Sequence, residues 1–481
     1  MRHAAATAVA ERPLLIDVEH GLLRCDLAAE AAVGRLRLRL DRILDRLARI
    51  LGSQSAPGRP SAQNRSPDVA LLPVNAALAA LAEAEAAKGR PVYLVTASGG
   101  LASADLARRF PFAAGVIAPG DLADPHPASM PDALARRFPG GFDYAASPAA
   151  DPAIWPRAAG AILVGAAEGD RRRVAALTPV STVIPAPPLL PALFRGMRLH
   201  QWMKNLLVFA PFILGGAVTD PHAWLETVLV FLAMGLVSSA TYLVNDMIDV
   251  ADDRRHWSKR HRPIAGGDLP IPAAAAFAAI GLAGGLGLAA ITAWQSVQVL
   301  LVYVGLTLAY SLAVKRLPLV DGFALATLFT LRLALGVVAT DVPPSPWLFV
   351  FSMFLFTSLS FAKRYTELDR SHAAQKDRLA GRGYRGEDAP LVLAVGIAAG
   401  LGAVVIMLLY ILEDAFLQSF YGSAAWLWGF PPAVFLLICR IWLVTVRGEM
   451  NDDPVKFMIG DGPSRALLVL LLTCFAFAWL T

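Results

Sequence analysis

The residues best suited to chemistry sit in one short stretch, Asn245-Asp246-Met247-Ile248-Asp249-Val250-Ala251-Asp252-Asp253-Arg254. Asp246, Asp249 and Asp253 are spaced i, i+3 and i+7, so on a helix they share one face. Three such carboxylates repel each other unless a cation sits between them. Hard oxygen donors beside an aqueous cleft suit Mg²⁺, which keeps several waters and bridges to substrate phosphates. An acidic helix cap at a membrane surface is the plainer alternative. It weakens because the chain continues with Lys259, Arg262 and Pro263, and acids for metal followed by cations for phosphate make a diphosphate site.

A second set follows. Tyr310, Lys315 and Arg316 precede Asp321, which opens an apolar stretch where an acid needs a partner or a metal. A carboxylate stabilised by the helix N-terminus is the alternative. Arg332 lies eleven residues on, about three turns, and is predicted to share the face of Asp321. At that depth it must point into the bundle, toward a structural partner or a substrate phosphate. Lys363-Arg364-Tyr365-Thr366-Glu367 adds two cations at another helix end, as phosphate ligands or as snorkelling anchors. Asn451-Asp452-Asp453-Pro454 is a last acidic patch, read first as a turn.

Elements of membrane type must position these groups. The 481 residues are 56% hydrophobic and only 17% charged, and long apolar segments dominate after Asn205. A spanning helix needs roughly 20 apolar residues. Nine stretches qualify, near 204–219, 222–247, 272–294, 296–313, 319–340, 345–362, 389–412, 422–446 and 463–480. With the N-terminus inside, the outward gaps 217–222, 294–297, 340–346 and 413–422 contain no Lys or Arg, while the inward gaps hold clusters of both. This is the asymmetry of cytoplasmic loops, so the net charge of +5 reflects membrane topology and not nucleic-acid binding. Cys25, Cys439 and Cys474 lack metal-ligand spacing and read as buried thiols of a reducing compartment. No signal peptide is visible, so the N-terminal region is expected in the cytosol.

Asn-Asp-x-x-Asp-x-x-x-Asp at the end of the second stretch, with Tyr310, Lys315 and Asp321 after the fourth, resembles the UbiA superfamily of intramembrane prenyltransferases over roughly residues 195–481. The resemblance implies a nine-helix fold in which two acidic regions hold Mg²⁺ on a diphosphate. Loss of pyrophosphate then unmasks a carbocation-like carbon. On this basis Asn245, Asp246, Asp249 and Asp253 form the first metal region. The second is thinner, with Asp321 its sole acid between Tyr310 and Arg332.

Four segments are similar to the decaprenyl-phosphate phosphoribosyltransferase branch. They are Arg198-x-x-Gln201-Trp202-x-Lys204-Asn205, Asp253-Arg254 through Lys259-Arg260-x-Arg262-Pro263, Phe329-Thr-Leu-Arg332, and Phe361-Ala362-Lys363-Arg364-Tyr365-x-Glu367. That branch implies transfer of 5-phosphoribose from phosphoribosyl diphosphate to a polyprenyl phosphate. Lys259 and Arg262 would hold donor phosphates, and Tyr310 and Lys315 would flank the ribose or pyrophosphate. Lys204, Lys363 and Arg364 would receive the acceptor phosphate. The partners implied are these two substrates and the membrane, at the cytoplasmic face; a homo-oligomer is left open. A UbiA-type aromatic prenyltransferase using a polyprenyl diphosphate is the alternative. A transporter is disfavoured, because transport sites lie near the midplane.

Residues 1–184 read differently. Pro13-Leu-Leu-Ile-Asp17, the apolar run 91–95 closed by Thr96, and Gly141-Phe-Asp143-Tyr144 leading to Ser147 and Asp151 alternate with helical stretches, which predicts an α/β sheet. The layout resembles the haloacid dehalogenase (HAD) fold. Asp17, Gly21, Thr96 and Asp151 fit that pattern, but Glu19 and Leu22 replace an expected Asp and Thr, and no Lys occurs between Lys88 and Lys204. A catalytically silent domain is therefore expected, unless Arg136 or Arg137 substitutes for the lysine. Arg-rich 27–51 is predicted to be a core or cap helix, or else a membrane-surface helix. Residues 53–66 read as a loop, and Pro-rich 185–194 as the linker to the transmembrane domain.

Overall fold

The computed structural model describes residues 12–50, 68–97, 101–119, 130–373, 379, 382–413, 415, 421–450 and 454–480. Two expectations, the loop at 53–66 and the acidic patch Asn451–Asp453, fall outside them. The chain divides into two compact units: Met1–Met197 with Asp246–Phe277, and Arg198–Asn245 with Ala278–Thr481. The acidic stretch, placed by the sequence within the transmembrane domain, thus clusters with the N-terminal residues.

The first unit is built on six strands: β1 Leu14–Asp17, β2 Val92–Val95, β3 Gly115–Ile117, β4 Asp143–Ala146, β5 Gly160–Val164 and β6 Val180–Ile184. Their order is β3-β2-β1-β4-β5-β6, and every pairing is parallel. Continuous apolar runs such as Leu14-Leu15-Ile16 suit a strand buried on both faces, the condition that favours parallel sheets. Side chains alternate across the sheet, so Leu14 and Ile16 join one core with Leu94 and Ala145, while Leu15 and Val95 join another with Tyr144 and Trp155. Register pairs Asp17 with Val95. Asp17, Thr96 and Ser147 therefore emerge together at the carboxyl edge, where ligands of such sheets bind. Helix α1 (Leu27–Ile50) confirms the helical expectation for that segment.

The second unit is helical. Among the described residues, eight helices are long and apolar enough to cross a membrane: Pro221–Ile248, Ile271–Thr292, Trp294–Leu312, Val320–Thr340, Pro346–Ser371, Gly386–Glu413, Ala424–Val446 and Gly462–Leu480. They match eight of the nine predicted stretches. The remaining one, 204–219, is broken into a 3₁₀ run Leu199–Val208, a short α-helix Phe209–Leu214 and a turn Ala217–Thr219. Pro211 lacks an N–H, and Gly215-Gly216, with φ +74° at Gly216, stops the helix. Gly336 leaves no room for a Cβ beside the Val208 carbonyl, so the broken segment packs directly on the backbone of Val320–Thr340. That approach brings Lys204 and Asn205 to Arg332.

Candidate active site

The acids at 246–253 do not share one continuous helix. Helix Pro221–Ile248 ends, Asp249 adopts φ −93° and ψ 6°, and a new short helix runs from Val250 to Arg255. The three carboxylates predicted to lie on one helical face are thus divided between two helices and the junction that joins them. Asp246 and Asp253 are buried and converge on Arg262, whose Nη1 donates to Asp246 Oδ1 at 3.0 Å and to Asp253 Oδ2 at 2.7 Å. Burial raises the Asp253 carboxyl above its ordinary range, opposed by the Arg262 charge and reinforced by that of Asp246. Asp249 instead lies 3.9 Å from Arg37 of α1. Lys259, in the turn Lys259–His261, is exposed, and its charge also favours ionised Asp253.

No group of three or more metal-ligating side chains occurs among the described residues. The donor chemistry still fits Mg²⁺, which is commonly held by one or two carboxylates together with substrate phosphates and water. Asp246 and Asp253 supply two hard oxygen donors that already converge on a single cationic centre.

The loop beyond is tied by contacts that sequence spacing did not reveal. Arg254 makes a bidentate pair with Glu30, at 2.8 and 2.6 Å, and donates from Nε to the Ala265 carbonyl. Asp268 accepts from both Arg24 and Arg195, at 2.6 and 2.8 Å.

In the helical unit, Asp321 is fully buried and finds its partners in the side chains of Arg364, Arg382 and Tyr384. Arg364 Nε donates to its Oδ2 at 2.6 Å, Arg382 Nη1 to the same oxygen at 3.4 Å, and the Tyr384 hydroxyl to Oδ1 at 2.6 Å. Arg364 and Arg382 both donate to the Tyr310 hydroxyl, and both pair with Glu367. Tyr310, Asp321 and Arg364 thus belong to one network, together with Arg382 and Tyr384, which sequence reasoning missed. Their signal is faint, an Arg-Gly-Tyr just before a span. It is explained by Gly383, which leaves no room for a Cβ against the Arg316 carbonyl. Lys315 and Lys363 are half-buried in the turn Val314–Arg316 and in helix Pro346–Ala373.

Arg332 does not pair with Asp321. It is 5% exposed, and its guanidinium donates to Asn205 Oδ1 at 3.0 Å, to the Leu328 carbonyl at 2.5 Å and to the Tyr303 hydroxyl at 3.1 Å. It lies over Tyr303 and Phe329, and the Lys204 ammonium is 5.9 Å from the same Phe329 ring. No carboxylate ion-pairs with Arg332 among the described residues. A buried guanidinium held only by neutral groups is a ready anion partner. Gln201 is half-buried in the same 3₁₀ run, whose Trp202 Nε1 donates to Ser239 Oγ.

At the carboxyl edge of the sheet, both Asp17 oxygens are occupied. The His20 N–H donates to Oδ1 and the Tyr144 hydroxyl to Oδ2, each at 2.7 Å. Glu19 accepts from the Thr96 hydroxyl at 2.5 Å and from the Ala97 N–H at 3.3 Å. Asp151 accepts from the Ala153 N–H, while Arg136 and Arg137 are exposed at the end of helix Met130–Arg137.

Residues 206–460 match the model of the UbiA prenyltransferase family. The uncharacterized protein y4nM of Sinorhizobium fredii is 35% identical over 469 residues, 97% of this chain and 91% of that one. The nodulation protein NoeC of Azorhizobium caulinodans is 31% identical over 280 residues, 56% of this chain and 88% of that one. The decaprenyl-phosphate phosphoribosyltransferase of Mycobacterium tuberculosis is 30% identical over 305 residues, 61% of this chain and 96% of that one.

Proposed function

Because this chain belongs to the UbiA prenyltransferase family, and so is an integral membrane transferase, we propose that it moves 5-phosphoribose from phosphoribosyl diphosphate to a polyprenyl phosphate, releasing pyrophosphate. The observation that supports this most is Arg332, a buried cation that ion-pairs with no carboxylate among the described residues, with Lys204 within 5.9 Å of the same Phe329 ring. An aromatic acceptor has no phosphate to offer that pair. A polyprenyl phosphate does. The likeness to the mycobacterial phosphoribosyltransferase points the same way.

In this reading Asp246, Asp249 and Asp253, with Asn245 beside them, hold Mg²⁺ and the donor's pyrophosphate. When bound, the metal would neutralise charge on the departing pyrophosphate. Lys259 and Arg262 take donor phosphate oxygens. Arg262, now held by Asp246 and Asp253, would be available to phosphate oxygens if those two carboxylates held a cation instead. Tyr310 and Lys315 flank the ribose, with Arg364 and Asp321 fixing the tyrosine. Lys204 and Arg332, with Gln201 and Lys363, receive the acceptor. One acceptor phosphate oxygen forms a bond to C1 of the ribose as the C1–O bond to pyrophosphate breaks. The acceptor is already ionised, so no strong general base is required, and catalysis is positioning plus electrostatics. The concentration of Lys and Arg in alternate loops supports a site at the cytoplasmic face of the cell membrane.

Calorimetric titration of a short-chain polyprenyl phosphate into the detergent-purified protein tests the acceptor site. Arg332→Gln should weaken binding by about thirtyfold, the scale of removing one buried charge partner, without altering affinity for phosphoribosyl diphosphate. Equal acceptor affinity in the variant would remove the main support. The family's designation as prenyltransferases supports a second reading, transfer of a polyprenyl group to an aromatic acceptor.

The N-terminal sheet we assign to a HAD-like domain that is catalytically silent. Glu19 occupies the Thr96 hydroxyl and the Ala97 N–H, which could otherwise receive an anion, and Asp17 is held by Tyr144 and His20. Absence of Mg²⁺-dependent hydrolysis of p-nitrophenyl phosphate by the full-length protein is expected; hydrolysis that Asp17→Asn abolishes would overturn this.

A further inference from the structure

The first unit contains an arrangement that neither a silent domain nor a transferase loop explains alone. Helix α1 starts where Asp26 accepts from the Ala29 N–H at 2.9 Å, and it presents Glu30 and Arg37, seven residues apart, on one face. Both side chains reach the acidic loop, more than 200 residues away in sequence. Glu30 holds Arg254 through two charge-assisted bonds, with Arg254 only 7% exposed. Arg37 donates to the Ile248 carbonyl at 3.1 Å and to Asp252 at 2.8 Å, and lies 3.9 Å from Asp249. The first of these bonds satisfies a carbonyl left open where helix Pro221–Ile248 ends. Further along, Arg24 holds Asp268, and its carbonyl packs so closely on Gly267, φ +75°, that a side chain there would collide. Arg24 is itself anchored to the domain by its N–H to the Pro73 carbonyl.

We propose that Glu30 and Arg37 are positioning residues through which the N-terminal domain fixes the loop bearing Asp249 and Asp253. Arg37 grips Asp252 and Glu30 grips Arg254, the two neighbours of Asp253, so the direction of Asp253 toward Arg262 is set from both sides. Arg37 also places a positive charge beside Asp249, which steadies that carboxylate against the repulsion of Asp246 and Asp253. Local structure supplies only a helix of six residues and a single 3₁₀ turn, too little by itself to hold three like charges. This inference rests on the reading of 246–262 as the metal and diphosphate region. It gives a silent domain a reason to be fused to a transferase.

Hydrogen–deuterium exchange of the full-length protein in nanodiscs tests it, with Glu30→Gln and Arg37→Gln as neutral replacements of similar size. Amides of 249–268 should exchange at least about tenfold faster in each variant, the scale of one charge-assisted pair, while β1–β6 and the membrane helices keep their protection. Arg37→Lys, retaining the charge, should recover part of the protection. Manganese affinity, read by electron paramagnetic resonance, should fall several-fold with the loss of loop order. Unchanged loop exchange in both glutamine variants overturns the proposal. So does acceleration spread evenly over β1–β6, which would make the pairs part of the sheet domain's own stability. None of these readouts uses a substrate. A protein that fails to transfer phosphoribose yet shows the loop effect would refute the substrate reading and leave the positioning role standing.

Discussion

Asp249→Asn replaces a carboxylate with a neutral amide of equal size, so folding should survive while metal and pyrophosphate binding fails. Turnover under Mg²⁺ is expected to fall about a hundredfold or more, as when one preorganised electrostatic group is removed from an active site; unchanged turnover would sink the metal assignment. Arg364→Met should act on stability instead. It leaves Asp321, fully buried, without its principal counter-ion, which costs about 3–5 kcal/mol. Chemical denaturation in detergent measures that loss, and a variant as stable as the parent would contradict the network. At the end of β1, the hydrogen bond to Asp17 raises His20 above its ordinary 6.5, against the opposing effect of burial. A raised folded value means the contribution is fully present below 6.5 and disappears as pH climbs through the raised value. Protection of β1 in hydrogen exchange, corrected for intrinsic rate, should therefore decline above pH 6.5, and Asp17→Asn should flatten the dependence. The sequence marked Asp246, Asp253, Asp321, Arg332 and Arg364 by their types alone. It could not show their pairing, because partners such as Tyr384 lie 63 residues from Asp321 and the choice between Arg332 and Arg364 is made by packing.

At the level of elements, hydropathy and length sufficed for eight helices, since a segment of that composition has few other ways to satisfy its backbone in lipid. The α/β sheet was legible from apolar runs alternating with helical stretches, while its all-parallel pairing emerged with the structure. Two breaks were not legible. Asp249 sits within a helical spacing, yet the helix ends there, and the segment at 204–219 reads as apolar while Pro211 and Gly215-Gly216 divide it. The partner of α1 was equally hidden: its sequence suited a core or cap helix, or else a membrane-surface one, and did not show that Arg37 meets acids of the loop. If the orientation is as the basic loops require, single cysteines placed at 342 and 418 in a Cys-free background should react with an impermeant maleimide from outside whole cells. Cysteines at 258 and 316 should react only after the membrane is opened. The reverse pattern would invert the topology.

At the level of the whole molecule, the family membership is plain and the substrate choice is proposed. The chain is a UbiA-type membrane transferase. The proposed substrate choice rests on its cations, Arg332 and Lys204 in the helical unit and Lys259 and Arg262 on the acidic loop, which would serve more anions than one diphosphate. The central claim is therefore about which groups are exchanged, and product mass decides it. Purified protein with Mg²⁺ would be given phosphoribosyl diphosphate and a polyprenyl phosphate in one reaction, and a polyprenyl diphosphate with 4-hydroxybenzoate in another. The account predicts a phosphoribosylated lipid and released pyrophosphate in the first and no prenylated aromatic in the second. Product in the second reaction alone would contradict it.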